Sequence, residues 1–207
     1  MNKAVFFDRD GVINVDHGYV GDIAKFDFIK GVKEALADIK AAGFLTVMVT
    51  NQSGIARGFY TEADFKKLSL YMQSVLDLYK ARFDLILYCP HHPQAKLAAY
   101  RKVCNCRKPN PGMILEAASK LNIDLSQSIM IGDHLSDLKA ATNAGIKYTV
   151  LLTNGAYDEA QKAPFVDKYL DLANYVESMR NIFKKSNHFW NIRNKMYPTS
   201  VDEVIGW

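Results

Sequence analysis

The segment FFDRDGVI sets two carboxylates, Asp8 and Asp10, two residues apart directly behind an apolar run. An extended backbone sends both side chains to one side, and Gly11 eases the turn that follows. One carboxylate of such a pair can attack phosphorus, and the other can give a proton to the departing oxygen and later take one from water. Three further segments carry matching chemistry. VTNQSG offers Thr50 and Asn51 as hydrogen-bonding groups for a phosphoryl oxygen, RKP offers Lys108 as a compact positive charge, and IGDHLSD places Asp133 to hold a hard cation. Alone, each is ordinary: a DxD pair is usually a turn and a lysine usually lies on the surface. In this order, each near a candidate strand end, they read as a site for phosphoryl transfer with magnesium neutralising charge between nucleophile and phosphate.

The second cluster is CPHHPQAKLAAYRKVCNCRKP, residues 89–109, which holds all three cysteines and two of the five histidines. Cys89, Cys104 and Cys106 with one histidine make a tetrahedral zinc set. His91 and His92 both remain open from spacing. Four protein ligands leave no position for water, so this zinc is expected to be structural. Its place just before Arg107 and Lys108 would fix their backbone over the strand ends, and the prolines at 109 and 111 restrict the exit. No large mobile cap is then needed.

The elements that must hold these groups alternate in the manner of crossover units on a parallel sheet. Candidate strands are Lys3–Phe7, Phe44–Val49, Asp84–Tyr88, Ser128–Ile131 and Lys147–Leu152, with helices over Val32–Ala41, Glu62–Tyr79, Gly112–Leu121 and Asp137–Ala144. Thr61 and Asp64 resemble a capping box, ahead of a buried stripe of Phe65, Leu68, Met72, Val75 and Leu76. Gly43 and Gly145 stand where helices stop. The expected fold is a three-layer, Rossmann-like α/β domain with a parallel central sheet over residues 1–185, including the metal loop. A further helix fits Tyr175–Phe183, and residues 186–207, with both tryptophans, form an irregular tail.

DxDG, TNQSG, RKP and GDxxxD in this order resemble the haloacid dehalogenase-like phosphatases. The longer stretches DHGYVG, TNQSGIARG, CPHHP and CNCRKPNPGM are similar to the zinc-containing heptose bisphosphate branch of that superfamily, over about residues 1–155. The resemblance implies Asp8 as nucleophile, Asp10 as general acid/base, and Thr50 and Lys108 as stabilisers of the transferring phosphoryl group. It implies magnesium among Asp8, Asp133 and the backbone carbonyl of Asp10, and zinc on Cys89, His91, Cys104 and Cys106, favouring His91 over His92. Asp16, His17, Gly18 and Tyr19, with Asn51, Gln52 and Ser53, would line the sugar phosphate. Arg107 would clamp the phosphate that is not transferred, a planar fork suiting that anion. His134 stands where relatives often carry lysine and is either a substrate contact or a structural histidine. Asn110 replaces a histidine of some relatives, and Leu152-Thr153-Asn154-Gly155 replaces an Arg-Thr-Gly.

The implied reaction is hydrolysis of a small sugar bisphosphate at its primary 7-phosphate, leaving the sugar 1-phosphate. A histidinol-phosphate phosphatase is the nearest enzyme alternative, but its metal loop is typically shorter than the twelve residues that separate His91 from Cys104 here. A noncatalytic zinc protein acting through the loop or tail is the alternative of another class. The chain has 207 residues, 49% of them apolar, enough for one full core, and a mild net charge of +4 without a basic stripe. No apolar run reaches the length of a membrane span or of a signal peptide at the start. The expectation is a cytoplasmic monomer with no nucleic-acid or membrane partner.

Overall fold

The structure, a computed structural model, describes residues 1–153, 167–169 and 171–184. The predicted tail at 186–207 and the Asn154-Gly155 pair lie outside them. Six parallel strands run β1 (Ala4–Phe7), β2 (Leu45–Asn51), β3 (Leu85–Cys89), β4 (Ile129–Gly132), β5 (Tyr148–Leu152) and β6 (Asp167–Tyr169) in chain order. Their order across the sheet is β3-β2-β1-β4-β5-β6. The chain thus winds outward from β1 in one direction, then returns to β1 and winds outward in the other. The strand order reverses between β1 and β4, and a crevice opens at the carboxyl ends of strands flanking such a point.

Alternation along each strand builds two cores. Val5 and Phe7 of β1, Met48 of β2 and Ile129 and Ile131 of β4 face one side, where they meet α1 (Val32–Ala41), α3 (Glu62–Asp77) and α6 (Leu172–Lys184). Ala4, Phe6, Val47, Val49 and Met130 face the other, against α4 (Gly112–Leu121) and α5 (Leu135–Ala144). With both faces covered, the central strands read as unbroken apolar runs. The capping box at Thr61 and Asp64 forms as the sequence suggests, and Phe65, Leu68, Met72 and Leu76 are buried below it, with Val75 half-buried.

Several elements differ from the sequence reading, among them α6, which begins at Leu172 rather than Tyr175. A short α2 (Ser53–Arg57) follows β2 directly, too brief to show a period. Helix α5 begins at Leu135, two residues before the expected start, because His134 acts as its N-cap in place of the usual small polar residue. The edge strand β6 has only three residues. No large cap domain is present among the described residues: ahead of α1 the connection after β1 holds a single 3-10 turn, Ile23–Lys25, and ahead of α4 the connection after β3 holds a single one, Ala98–Tyr100.

Candidate active site

Asp8 emerges at the end of β1, where its backbone N–H is held by the Ile131 carbonyl of β4 at 3.1 Å. Its carboxylate gathers with those of Asp133, just past β4, and Asp137, in the first turn of α5; one oxygen of each lies within 4.8 Å of the others. Asp137 can lie over the end of β4 only because residue 132 is glycine: a Cβ there would stand 2.4 Å from the Asp137 carboxylate. Lys108 reaches in from beyond the metal loop and places Nζ 3.0 Å from Asp8 Oδ1 and 2.6 Å from Asp137 Oδ1.

The charges here are strongly coupled. Burial pushes the Asp8 carboxyl up to about 6 against the pull of Lys108, with Asp137 and Asp10 adding to the rise. Burial and then repulsion from Asp8 and Asp137 push Asp133 up to about 9, with Lys108 opposing. Burial works against the Lys108 ammonium, yet Asp137 and Asp8 together hold it above the ordinary lysine range, so it stays charged. Three carboxylates share one cation, and Asp133 Oδ1 is buried with no hydrogen-bond partner. An all-oxygen set short of positive charge, with an orphaned acceptor, fits a hard divalent ion such as magnesium.

Asp10 stands beside that cluster, its carboxylate held by other partners. Arg9 Nη2 donates to both of its oxygens at 2.9 Å, Asn14 Nδ2 donates to Oδ1 at 3.0 Å, and Gln52 Nε2 donates to Oδ2 at 3.1 Å. Arg9 is itself 1% exposed, lies over the Phe65 ring and donates to the Val20 carbonyl at 2.5 Å. Thr50, 1% exposed in β2, accepts from Gln52 Nε2 at 2.9 Å, and Tyr60 donates its hydroxyl to Gln52 Oε1 at 2.5 Å. Burial pushes the Tyr60 phenol up to about 12, which keeps it a donor.

The residues expected to line the sugar divide into two groups. Asp16, His17, Gly18 and Tyr19 form an exposed loop: Asp16 accepts from Gly18 N at 2.8 Å, His17 pairs with Asp27 at 2.8 Å, and Tyr19, in the left-handed region at φ 53, packs at a tilt against Phe59 with ring centroids 4.8 Å apart. Ser53 opens α2. Gln52 is buried with its amide committed to Asp10, Thr50 and Tyr60. Asn51 is also committed, since its side chain accepts from Lys108 N and donates to Lys108 O, both at 3.1 Å. Arg107 is half-buried, its Nη1 3.3 Å from the His91 carbonyl. His134 keeps its ring exposed, 3.7 Å from Asp133, while its backbone N–H donates to Asp137 Oδ2 at 3.1 Å.

Cys89, His91, Cys104 and Cys106 come together in the second cluster. Five of their contacts, from Cys89 to His91 Nδ1, Cys104 and Cys106, and from Cys106 to His91 Nδ1 and Cys104, span 2.9 to 3.7 Å. A tetrahedron around one ion with bonds of about 2.0–2.3 Å has edges of that order. The thiols are free rather than paired. His92 faces away and accepts from Gln94 N at 3.1 Å. Burial, then Lys102, lowers His91, favouring the neutral imidazole that a metal needs. Glu62 ties this loop to the start of α3 by accepting from Tyr88 and Tyr100.

The sequence reading assigned no role to Asp137, Arg9 or Tyr60. Asp137 was visible as the last residue of GDHLSD, but four residues past Asp133 it also reads as an ordinary first-turn acid. Arg9 lies inside the DRD motif itself, and only its burial shows that it serves Asp10. Nothing local marks Tyr60.

A family model described as HAD-hydrolase-like matches residues 105–176. The D-glycero-beta-D-manno-heptose-1,7-bisphosphate 7-phosphatase of Escherichia coli K12 is 51% identical over 152 residues, covering 73% of this chain and 80% of the relative. That of Haemophilus influenzae is 46% identical over 171 residues, covering 83% and 92%. The crystal structure of D,D-heptose 1,7-bisphosphate phosphatase from B. bronchiseptica, complexed with magnesium and phosphate, superposes with a TM-score of 0.76 at 30% identity, covering 89% of this chain and 99% of that one.

Proposed function

Because the chain belongs to the D-glycero-D-manno-heptose 1,7-bisphosphate 7-phosphatases of the HAD-like hydrolases, we infer that it removes the 7-phosphate of that sugar in a magnesium-dependent reaction, leaving heptose 1-phosphate. The observation that carries the reading is Asp8, held 3.0 Å from Lys108 beside Asp133 at the reversal of strand order. Asp8 attacks phosphorus in line and the bond to O7 breaks as Asp10 gives O7 its proton. Water then attacks the aspartyl phosphate, Asp10 takes the water's proton, and phosphate leaves. Thr50 and Lys108 hydrogen-bond and neutralise the phosphoryl oxygens. Asp8, Asp133 and the Asp10 backbone carbonyl, with Asp137 nearby, would hold magnesium, which would supply charge neutralisation for the nucleophile and the phosphate.

The cluster of three thiols and one imidazole supports a structural zinc, since its donors are soft and fill four positions. Arg107 and the loop of Asp16–Tyr19 receive the rest of the substrate, with Arg107 on the phosphate that stays. Free, clustered thiols suit a reducing compartment, which supports the cytoplasm. The β anomer, named for the relatives, is taken as the substrate form. A phosphate-release assay on both heptose 1,7-bisphosphate anomers and on histidinol phosphate, with magnesium, tests this: turnover of the β anomer is expected, and a strong preference for histidinol phosphate would overturn the substrate.

A further inference from the structure

Resting on that reading, we propose that Tyr60 is a positioning residue whose phenol, acting through Gln52, aims Asp10 and Thr50 at the transferring phosphoryl group. An amide side chain fits almost equally well turned end for end, and only its partners choose between the two. The Asp10 carboxylate, an acceptor only, turns Nε2 toward its Oδ2 at 3.1 Å and toward Thr50 Oγ1 at 2.9 Å, and Tyr60 holds the amide in that orientation by donating its hydroxyl to Oε1 at 2.5 Å. Turned the other way, Oε1 would face the Asp10 carboxylate, acceptor against acceptor, in a place where Gln52 is 1% exposed.

The amide does two things from one nitrogen. It adds a donor to Asp10 beside those of Arg9 and Asn14, which fixes the plane of that carboxylate. It also fills an acceptor site on the Thr50 hydroxyl. A hydroxyl has one proton, and with Gln52 on its oxygen that proton is left to donate toward the phosphoryl group.

The ring of Tyr60 is held in a fitted slot. A Cβ at Gly21 would stand 2.3 Å from Tyr60 Cγ, and one at Gly54 would stand 2.3 Å from Cε1. Neither glycine has a positive φ, so what both supply is room for the ring. One wall belongs to the chain just past the substrate loop and the other to α2. The phenol therefore reaches Gln52 from a fixed direction.

Steady-state kinetics of Tyr60→Phe, Gln52→Met, Gln52→Glu and the Tyr60→Phe/Gln52→Met double variant test the proposal. Tyr60→Phe keeps the ring in its slot and removes only the hydroxyl. It should lower kcat about tenfold and leave KM within about twofold and the thermal midpoint within a few degrees. Gln52→Met should lower kcat at least as far, and the double variant should be no worse than Gln52→Met alone, because both act along one path. Gln52→Glu keeps the acceptor for the phenol and loses the donor to Asp10, so its kcat should also fall.

Wild-type kcat in Tyr60→Phe overturns the proposal, as do losses that multiply in the double variant. Wild-type kcat in Gln52→Glu overturns it even if the other variants fold poorly. Rates are read on heptose 1,7-bisphosphate and on p-nitrophenyl phosphate. Hydrolysis of the aryl ester alone would sink the sugar substrate and still judge the relay, whereas a wild-type protein that cleaves neither sinks both.

Discussion

At the scale of single residues, the site is a crowd of acids around one lysine. Asp8→Asn removes the attacking oxygen and should cut kcat by at least about 10³-fold, and near-normal phosphate release from purified protein would disprove the mechanism. The same crowding makes stability depend on pH. Asp8 and Asp133 are raised from 3.8 to about 6 and about 9. Groups raised on folding stabilise the protein fully below their unfolded values and lose that contribution as pH climbs through the folded ones. Metal-free protein should therefore weaken between about pH 4 and 9, where the acids must ionise beside each other. Magnesium binds the ionised forms, so the rise in thermal midpoint that it produces should be small at pH 5 and several degrees larger at pH 8. A magnesium shift independent of pH, read by calorimetry, would contradict this coupling. The DxD, TN and GD residues were legible because each sits at a strand end with chemistry of its own, and RKP because it closes the Cys/His loop that follows β3. Asp137, Arg9 and Tyr60 were not, because their meaning comes from what they touch.

Among the elements, the metal loop and the end of β2 share the task of holding Lys108. The loop brings the last residue of its Cys/His cluster, Cys106, to within two residues of the lysine, and Asn51 grips the lysine's own backbone through both ends of its amide. Cys104→Ser should lose a stoichiometric bound zinc, measured by metal analysis, whereas Asp8→Asn should keep it. Zinc retained by Cys104→Ser would refute the four-ligand site. Asn51→Ala should retain zinc and lower kcat about tenfold by loosening Lys108; unchanged kcat would show that the loop alone suffices. The loop's Cys/His cluster could be found in the sequence because CxH and CxC are local patterns. The grip of Asn51 could not, since residues 51 and 108 are 57 apart along the chain and meet only once β2 and β3 pair. The five residues of α2 and three of β6 were missed for a different reason, being shorter than any periodicity can reveal.

Over the whole molecule, the two cores carry stability while the crevice between β1 and β4 carries chemistry, and the two can be separated by mutation. Leu172, fully buried where α6 meets α1 and the sheet, lies in the core of the α1 side. Leu172→Ala should cost about 2–5 kcal/mol in urea unfolding with kcat of the folded enzyme unchanged, and a fall in kcat without loss of stability would contradict that separation. The alternation of βαβ units, legible from apolar runs and helix stops, gave the layered architecture, while the position of the reversal in strand order depends on long-range pairing that no local run encodes. That pairing also has a temporal side. The cation at Lys108 lies where segments around residues 8, 51 and 137 cross, every one distant in sequence, in a sheet with no hairpin to pair early. No early, local piece of the chain can assemble this crossing, so during refolding phosphatase activity should return only with the slowest structural phase.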